Sequence, residues 1–318
     1  RDLHSFPTRR SSDLNLYGHN TPREMIESAR SKGFRSLGFS GHSPLPFDDD
    51  YAIKVHDIPR YNAEIAGLQK EYADKIEVIN GIEWDLDTPP VIENLFDISE
   101  YEYAISAVHQ LREADKFYSV DDTKEELQTC IGDLFMGDSF AMLEEFFSRV
   151  HSAALREQSD IVAHFDLIAK LNGGNVLFDE SSAVYRQMGM DAIKRIKAER
   201  PELIFEINTG GVYRKNRDYF YPRIDFLERI VESRFRIMIN TDSHDVGSID
   251  FGYRDALRLA RDAGARSIYV LRRVAEQPAF TGIENCAFSG APETDLLLPS
   301  GKQRLRSEER RVGKECRS

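Results

Sequence analysis

Val78-Ile79-Asn80-Gly81-Ile82-Glu83 is an apolar, β-branched run that ends on a carboxylate, and the rest of the chain repeats its plan. Leu37-Gly38-Phe39-Ser40-Gly41 leads to His42, Tyr103-Ala104-Ile105-Ser106-Ala107-Val108 to His109, and Ile161-Val162-Ala163 to His164. Ile237-Met238-Ile239-Asn240-Thr241 leads to Asp242, with His244 two residues on. Short apolar runs with polar boundaries are strand signals. Helix-length segments separate them, which predicts a mostly parallel sheet. A single run ending on a metal-type ligand carries little information. Five of them imply strand ends that surround one polar site, as in α/β barrels. An open doubly wound sheet instead gathers its site at one switch point between neighbouring strands, so the distribution of ligands favours closure.

The segments between these runs support that reading. Thr21-Pro22, then Glu24, Met25, Ile26 and Ala29, then Gly33 reads as an N-cap, a proline in the first turn, an amphipathic body and a C-terminal glycine. Strands are expected over 35–40, 75–82, 103–108, 160–163, 203–207, 236–239 and 267–271. Helices are expected over 58–74, 182–199, 222–233 and 252–263, with a long helical region over 121–158 broken at Gly137-Asp138-Ser139.

With 318 residues the chain is long enough for one large barrel or two ordinary domains. No run approaches the eighteen apolar residues of a membrane span, and the N-terminus lacks the apolar core of a signal peptide, so no membrane partner and a cytoplasmic location are expected. Cys130, Cys286 and Cys316 are too few and too scattered for a disulfide framework or a CxxC metal site. The net charge of -12 argues against a nucleic-acid surface. Phosphate can still be bound locally, by metals or a few basic side chains.

Both ends look foreign. Residues 1–14 (RDLHSFPTRRSSDL) and 306–318 (RSEERRVGKECRS) show no apolar periodicity, resemble translated adapter read-through and are set aside. Both are net basic, so the remainder is more acidic than the whole. Residues 15–271 are read as the working domain, and 272–305 as a tail that loses the βα rhythm.

Histidine and carboxylate together suit first-row divalent metals such as zinc, iron or manganese. A carboxylate among histidines can bridge two ions, which together stabilise the entering and leaving oxygens of an in-line displacement at phosphorus. A lone histidine is more often an ordinary polar residue, and His56 and His151 are read that way. His42, His109, His164 and His244 are read as ligands because they share a place at strand ends. For Glu83, Gly81 is read as a turn former beside it and Trp84 as a roof over the site.

Six segments in order carry a family resemblance: Gly38-Phe39-Ser40-Gly41-His42-Ser43-Pro44, Asn80-Gly81-Ile82-Glu83, Ser106-Ala107-Val108-His109, Val162-Ala163-His164-Phe165-Asp166-Leu167-Ile168-Ala169-Lys170, Phe205-Glu206-Ile207-Asn208-Thr209 and Thr241-Asp242-Ser243-His244. Together they resemble the motifs of the polymerase and histidinol phosphatase (PHP) superfamily, nearest to its histidinol-phosphatase branch through residues 163–170 and 206–211. The resemblance covers residue 15 to about residue 271. It implies a distorted (β/α)7 TIM-like barrel that hydrolyses phosphomonoesters, here L-histidinol phosphate in histidine biosynthesis, with two or three divalent ions (zinc, iron or manganese). It also implies that Glu83 bridges two metals, with His109 and His164 on one and Asp242 on the other. His42, His244 and His19 would serve a third. Glu83, Asp242 and His244 become the expected catalytic residues, with Asp242 or water as the acid for the leaving alkoxide.

The family opens with a His-x-His pair at the end of its first strand, and the spacing back from His19 puts that pair near positions 11 and 13. Ser11 and Asp13 stand there, inside the foreign segment, so the first strand is expected to be disrupted. Arg214, Lys215 and Lys170 are candidate phosphate contacts, and Glu206, Asn208 and Asp166 are candidates to support the ligands. Rival readings keep the fold but change the outcome: a nuclease or phosphodiesterase, a protein-tyrosine phosphatase, or a metal-binding product that is catalytically silent for want of the His-x-His pair.

Overall fold

In chain order the strands are β1 (Ser36–His42), β2 (Glu77–Asp85), β3 (Tyr103–Ala107), β4 (Gln110–Glu113), β5 (Lys116–Ser119), β6 (Ile161–Val162), β7 (Ile204–Asn208), β8 (Arg236–Asn240), β9 (Ser267–Arg273), β10 (Thr281–Ala287) and β11 (Lys302–Gln303). They belong to a computed structural model that describes residues 20–45, 51–93, 97–273, 281–287 and 302–303. Seven strands, β1-β2-β3-β6-β7-β8-β9, are neighbours in that order, and every pairing among them is parallel. β10 and β11 extend the β9 edge antiparallel. The sheet curls until its first and last parallel strands meet: Ser36 Oγ on β1 donates to the Leu271 carbonyl on β9 at 2.7 Å. The result is the distorted α/β barrel of seven parallel strands that the sequence predicts.

The helices are α1 (Pro22–Ser31), α2 (Ile58–Glu71), α3 (Pro90–Glu93), α4 (Lys124–Phe135), α5 (Ser139–Ala154), α6 (Ala183–Glu199), α7 (Gly210–Tyr213), α8 (Ile224–Glu232) and α9 (Tyr253–Asp262). α1 starts as its sequence dictates. The Thr21 side chain accepts from the Glu24 amide while the Glu24 carboxylate accepts from the Thr21 amide at 2.8 Å, a capping box that satisfies two end donors. Met25, Ile26 and Ala29 form its buried stripe. The long helical region divides at the expected break, where Met136 and Gly137 both turn left-handed and Asp138 caps α5 by accepting from the Phe140 and Ala141 amides. β4 and β5 pair as an antiparallel hairpin within a stretch where the sequence pattern predicts no strand.

Two apolar layers hold the barrel. Inside it lie Ile79, Tyr103, Ile105, Ala107, Ile161, Ala163, Ile204 and Met238. Outside, strands and helices share larger clusters, one under α1 and α2 with Val78, Ile82 and Trp84 and one under α5, α6, α8 and α9 with Phe205, Ile207, Ile237 and Ile239. Among the described residues no helix is long and apolar enough to cross a membrane.

Candidate metal centre

Side chains alternate across a strand, and that alternation builds the site. On β2, Val78, Ile82 and Trp84 face the helices, so Ile79, Gly81, Glu83 and Asp85 face the interior. β3 contributes Tyr103, Ile105 and Ala107 to the interior and hands the chain to His109 two residues on. The same parity runs from Met238 to Asn240 on β8, and Asp242 follows just past its end. Each of these three strands is therefore apolar inside near its N-terminal end and polar beyond, which floors the site with hydrocarbon.

Two readings of β2 need correction. Gly81 lies within the strand and makes no turn. A Cβ there would collide with the Tyr103 ring, and one on Gly38 would fall 2.5 Å from the Tyr103 hydroxyl, so both glycines make room for the tyrosine that fills the barrel below the site. Trp84 does not roof the site. Strand parity turns it outward, where the Arg156 guanidinium lies 4.1 Å from its ring centroid.

Glu83 is the centre of the cluster. Its Oε1 lies 3.1 Å from His164 Nε2 and 3.3 Å from His109 Nε2, and its Oε2 lies 3.9 Å from His42 Nδ1. His42, Glu83 and His109 each offer an atom within 4.8 Å of the others, the spacing of ligands around one ion. His109 rests between two carboxylates, with Nδ1 2.8 Å from Asp85 Oδ2. Asp85 is fully buried and accepts from the Asp87 amide through its other oxygen at 2.8 Å. Across the opening, Asp242 Oδ2 accepts from Arg214 Nη2 at 2.6 Å, and Arg214 Nη1 lies 3.1 Å from His244 Nδ1. Gly210 lets this pair approach the backbone: a Cβ would sit 2.6 Å from Arg214 Nη2 and 2.9 Å from Asp242 Oδ2. Asp242 holds a left-handed φ of 47°, unusual for a residue with a side chain.

The electrostatics fit a cation. Burial works to raise the Glu83 pKa, yet His42, His109 and His164 overcome it and hold the carboxyl well below its ordinary range. Burial lowers His42, more than Glu83 raises it, the direction that favours the unprotonated ring a ligand needs, and its buried Nδ1 has no hydrogen-bond partner. His109 and His164 resist burial through their carboxylate neighbours, Asp85 and Glu83 for the first and Glu83 for the second, and both titrate above their ordinary value. Each ring turns Nε2 toward Glu83, where a divalent ion would be held. Burial raises Asp242, but Arg214 and then His244 bring it down to about 2.

The model of the PHP domain matches residues 9–210, more than half of the chain. The chain belongs to the PHP domain family. Among curated relatives, a probable histidinol-phosphatase of Deinococcus radiodurans is 28% identical over 259 residues, covering 80% of this chain and 92% of that protein. The histidinol-phosphatase of Bacillus subtilis is 24% identical over 254 residues, covering 74% and 91%. A crystal structure from Listeria monocytogenes superimposes with a TM-score of 0.65 at 18% identity, over 76% of this chain and 95% of that one. A second, of histidinol phosphate phosphatase from Lactococcus lactis complexed with zinc, L-histidinol and phosphate, gives 0.54 at 22% identity over 79% and 90%. These likenesses match the curled parallel sheet of this PHP domain.

The structure gathers Glu83, His42, His109 and His164 into one cluster and puts Asp242, His244 and Arg214, which follow the matched residues in the chain, at its rim. Lys170 donates to Asp121 at 2.6 Å, and the Asp121 carboxyl feels Lys170, His109 and His164. That pair flanks the histidine side of the site. Lys215 follows Arg214 in a left-handed turn and is exposed. His19, Ser11 and Asp13 lie outside the described residues, as do both terminal segments set aside above. His56 is exposed beside Asp57, and His151 pairs with Glu199 at 2.9 Å between α5 and α6, both as ordinary polar residues. Asp85 is a site residue absent from the set derived by sequence, although its place two residues after Glu83 puts it on the same strand face.

Proposed function

We propose that this PHP domain protein is a metal-dependent phosphomonoesterase that hydrolyses L-histidinol phosphate to L-histidinol and phosphate, using two or three divalent ions (zinc, iron or manganese). The observation that carries the reading is Glu83 held among three histidines at the ends of parallel strands, with His109 backed by Asp85. The curated relatives named histidinol-phosphatase support the substrate. Glu83, His42, His109, His164, Asp242 and His244 would hold the ions, together with His19. Ions bound there would supply Lewis-acid stabilisation of charge on the phosphoryl oxygens and make water nucleophilic at neutral pH.

The protein's own groups do the rest. Arg214, whose side chain is 32% exposed, directs its guanidinium at the rim and would hold a phosphate oxygen, with Lys170 and Lys215 as further candidate contacts. Asp242 enters as a carboxylate because its pKa lies near 2. The proton for the leaving oxygen then falls to water.

The test is phosphate release from L-histidinol phosphate, compared with release from phosphotyrosine and cleavage of a short oligonucleotide, each with added zinc, iron or manganese. A preference of at least about tenfold in kcat/KM, or about 1.4 kcal/mol, for L-histidinol phosphate supports the reading. Equal or greater activity on either competitor would refute it.

A further inference from the structure

We propose that Glu206 is a positioning residue that sets the ligand-bearing ends of β6, β7 and β8 relative to one another through the direction of its hydrogen bonds. The inference rests on the metal centre proposed above. Glu206 is 2% exposed and meets three donors. Its Oε1 accepts from the His164 backbone amide at 2.7 Å and from Asn208 Nδ2 at 2.8 Å, and its Oε2 accepts from Asn240 Nδ2 at 2.7 Å. The two asparagines pass the constraint onward. Asn240 Oδ1 accepts from the Asp242 amide at 3.1 Å, and Asn208 Oδ1 accepts from the Gly210 amide at 2.9 Å.

The directions in this network are fixed. A backbone amide only donates, so the Asp242 and Gly210 amides determine which way each asparagine side chain is turned. Both side-chain amide nitrogens must then face Glu206, which also receives the His164 amide. Glu206 is an acceptor at every contact, a demand that a carboxylate meets and a carboxamide cannot. Through these five bonds one side chain fixes the His164 end of β6, the strained Asp242 after β8, and Gly210, against which Arg214 and Asp242 pair. Its hydrogen bonds among the described residues go to no ligand's imidazole or carboxylate, so it acts through backbone placement.

Glu206→Gln leaves volume unchanged but turns an N–H toward a donor. Asn240→Asp alone puts a carboxylate against Glu206. The double variant E206Q/N240D restores every pairing. Its carboxamide at position 206 donates to its carboxylate at position 240, whose second oxygen still accepts the Asp242 amide, and the total charge is that of the parent. Zinc affinity by calorimetric titration and backbone hydrogen exchange over 161–166 and 238–244 would be measured for the parent, both single variants and the double variant.

Each single variant should bind zinc about 10–100-fold more weakly and exchange the His164 and Asp242 amides about tenfold faster. The double variant should return to within a few fold of the parent in both. A single variant equal to the parent, or a double variant no better than the worse single, would overturn the proposal. If E206Q fails to fold, a folded double variant with parental zinc affinity supports it and an unfolded one refutes it. A parent that binds no zinc would count against the metal centre itself, and exchange would still decide the role of Glu206.

Discussion

The Asp85 carboxylate lies 2.8 Å from His109 Nδ1, which commits the other ring nitrogen of His109 to Glu83. A carboxylate that receives the far nitrogen fixes both the tautomer and the plane of a ligating imidazole. Asp85→Asn should therefore weaken zinc binding by about 10–100-fold while the protein stays folded. Calorimetric titration of the purified variant checks this, and an unchanged affinity would mean that His109 is oriented by something else.

Gly81→Ala should destabilise the fold by about 1–3 kcal/mol, the usual cost of overpacking a filled interior, because its Cβ would enter the Tyr103 ring. Urea denaturation measures the loss. Shortening the obstructing side chain in G81A/Y103L should recover part of it, and an additive or larger loss in the double variant would place the strain elsewhere.

The strand ends are readable because a ligand after an apolar run breaks the local pattern where a parallel strand ends. Glu83, His109 and His164 are legible for that reason. Asp85 can be reached by stepping two residues along the same face of β2, but it follows Trp84 in a stretch that reads as the start of a polar loop. Gly81 reads wrongly as a turn because a glycine before a ligand suggests one, and Tyr103, which makes the glycine necessary, is on the neighbouring strand. The same distance hides the Arg214 bond to Asp242, formed across 28 positions of sequence. The β4–β5 hairpin has strands of four residues each, too short for their alternation to stand out beside the helices that follow.

Arg214→Ala should lower kcat/KM on L-histidinol phosphate by about 100-fold, the scale of losing one preorganised donor to a developing charge. It should also weaken inhibition by inorganic phosphate. Steady-state kinetics with phosphate as inhibitor would show this. A variant with unchanged phosphate inhibition would remove Arg214 from the phosphate site.

The Lys170–Asp121 pair gives a pH signature. Burial raises the Asp121 carboxyl, but Lys170, His109 and His164 bring it far below its ordinary value. A depressed carboxylate pKa stabilises the fold in full above the unfolded value, roughly pH 4, and loses that contribution as the pH falls below it. At pH 7 Asp121→Asn should cost on the order of 2 kcal/mol, between exposed and fully buried pairs. The gap between parent and variant should narrow as unfolding is measured toward about pH 3. A gap that is constant with pH would contradict the pairing.

Placing a His-x-His pair in the N-terminal segment, Ser11→His with Asp13→His, should raise both the metal bound per chain and turnover, since the family pattern puts two further ligands there. Metal analysis of the two proteins side by side tests it. Equal metal content and equal turnover would show that the chain as written already has a complete centre.

The most direct test of the account is to count metal ions and released phosphate for the same samples of the parent and of Glu83→Gln. Glu83 meets His42, His109 and His164 at once, so the account predicts that the parent retains at least one divalent ion and releases phosphate from L-histidinol phosphate. It predicts that E83Q loses both the ion and the activity while remaining folded. A parent that turns over substrate without bound metal, or an E83Q variant that keeps its metal and its rate, would contradict it.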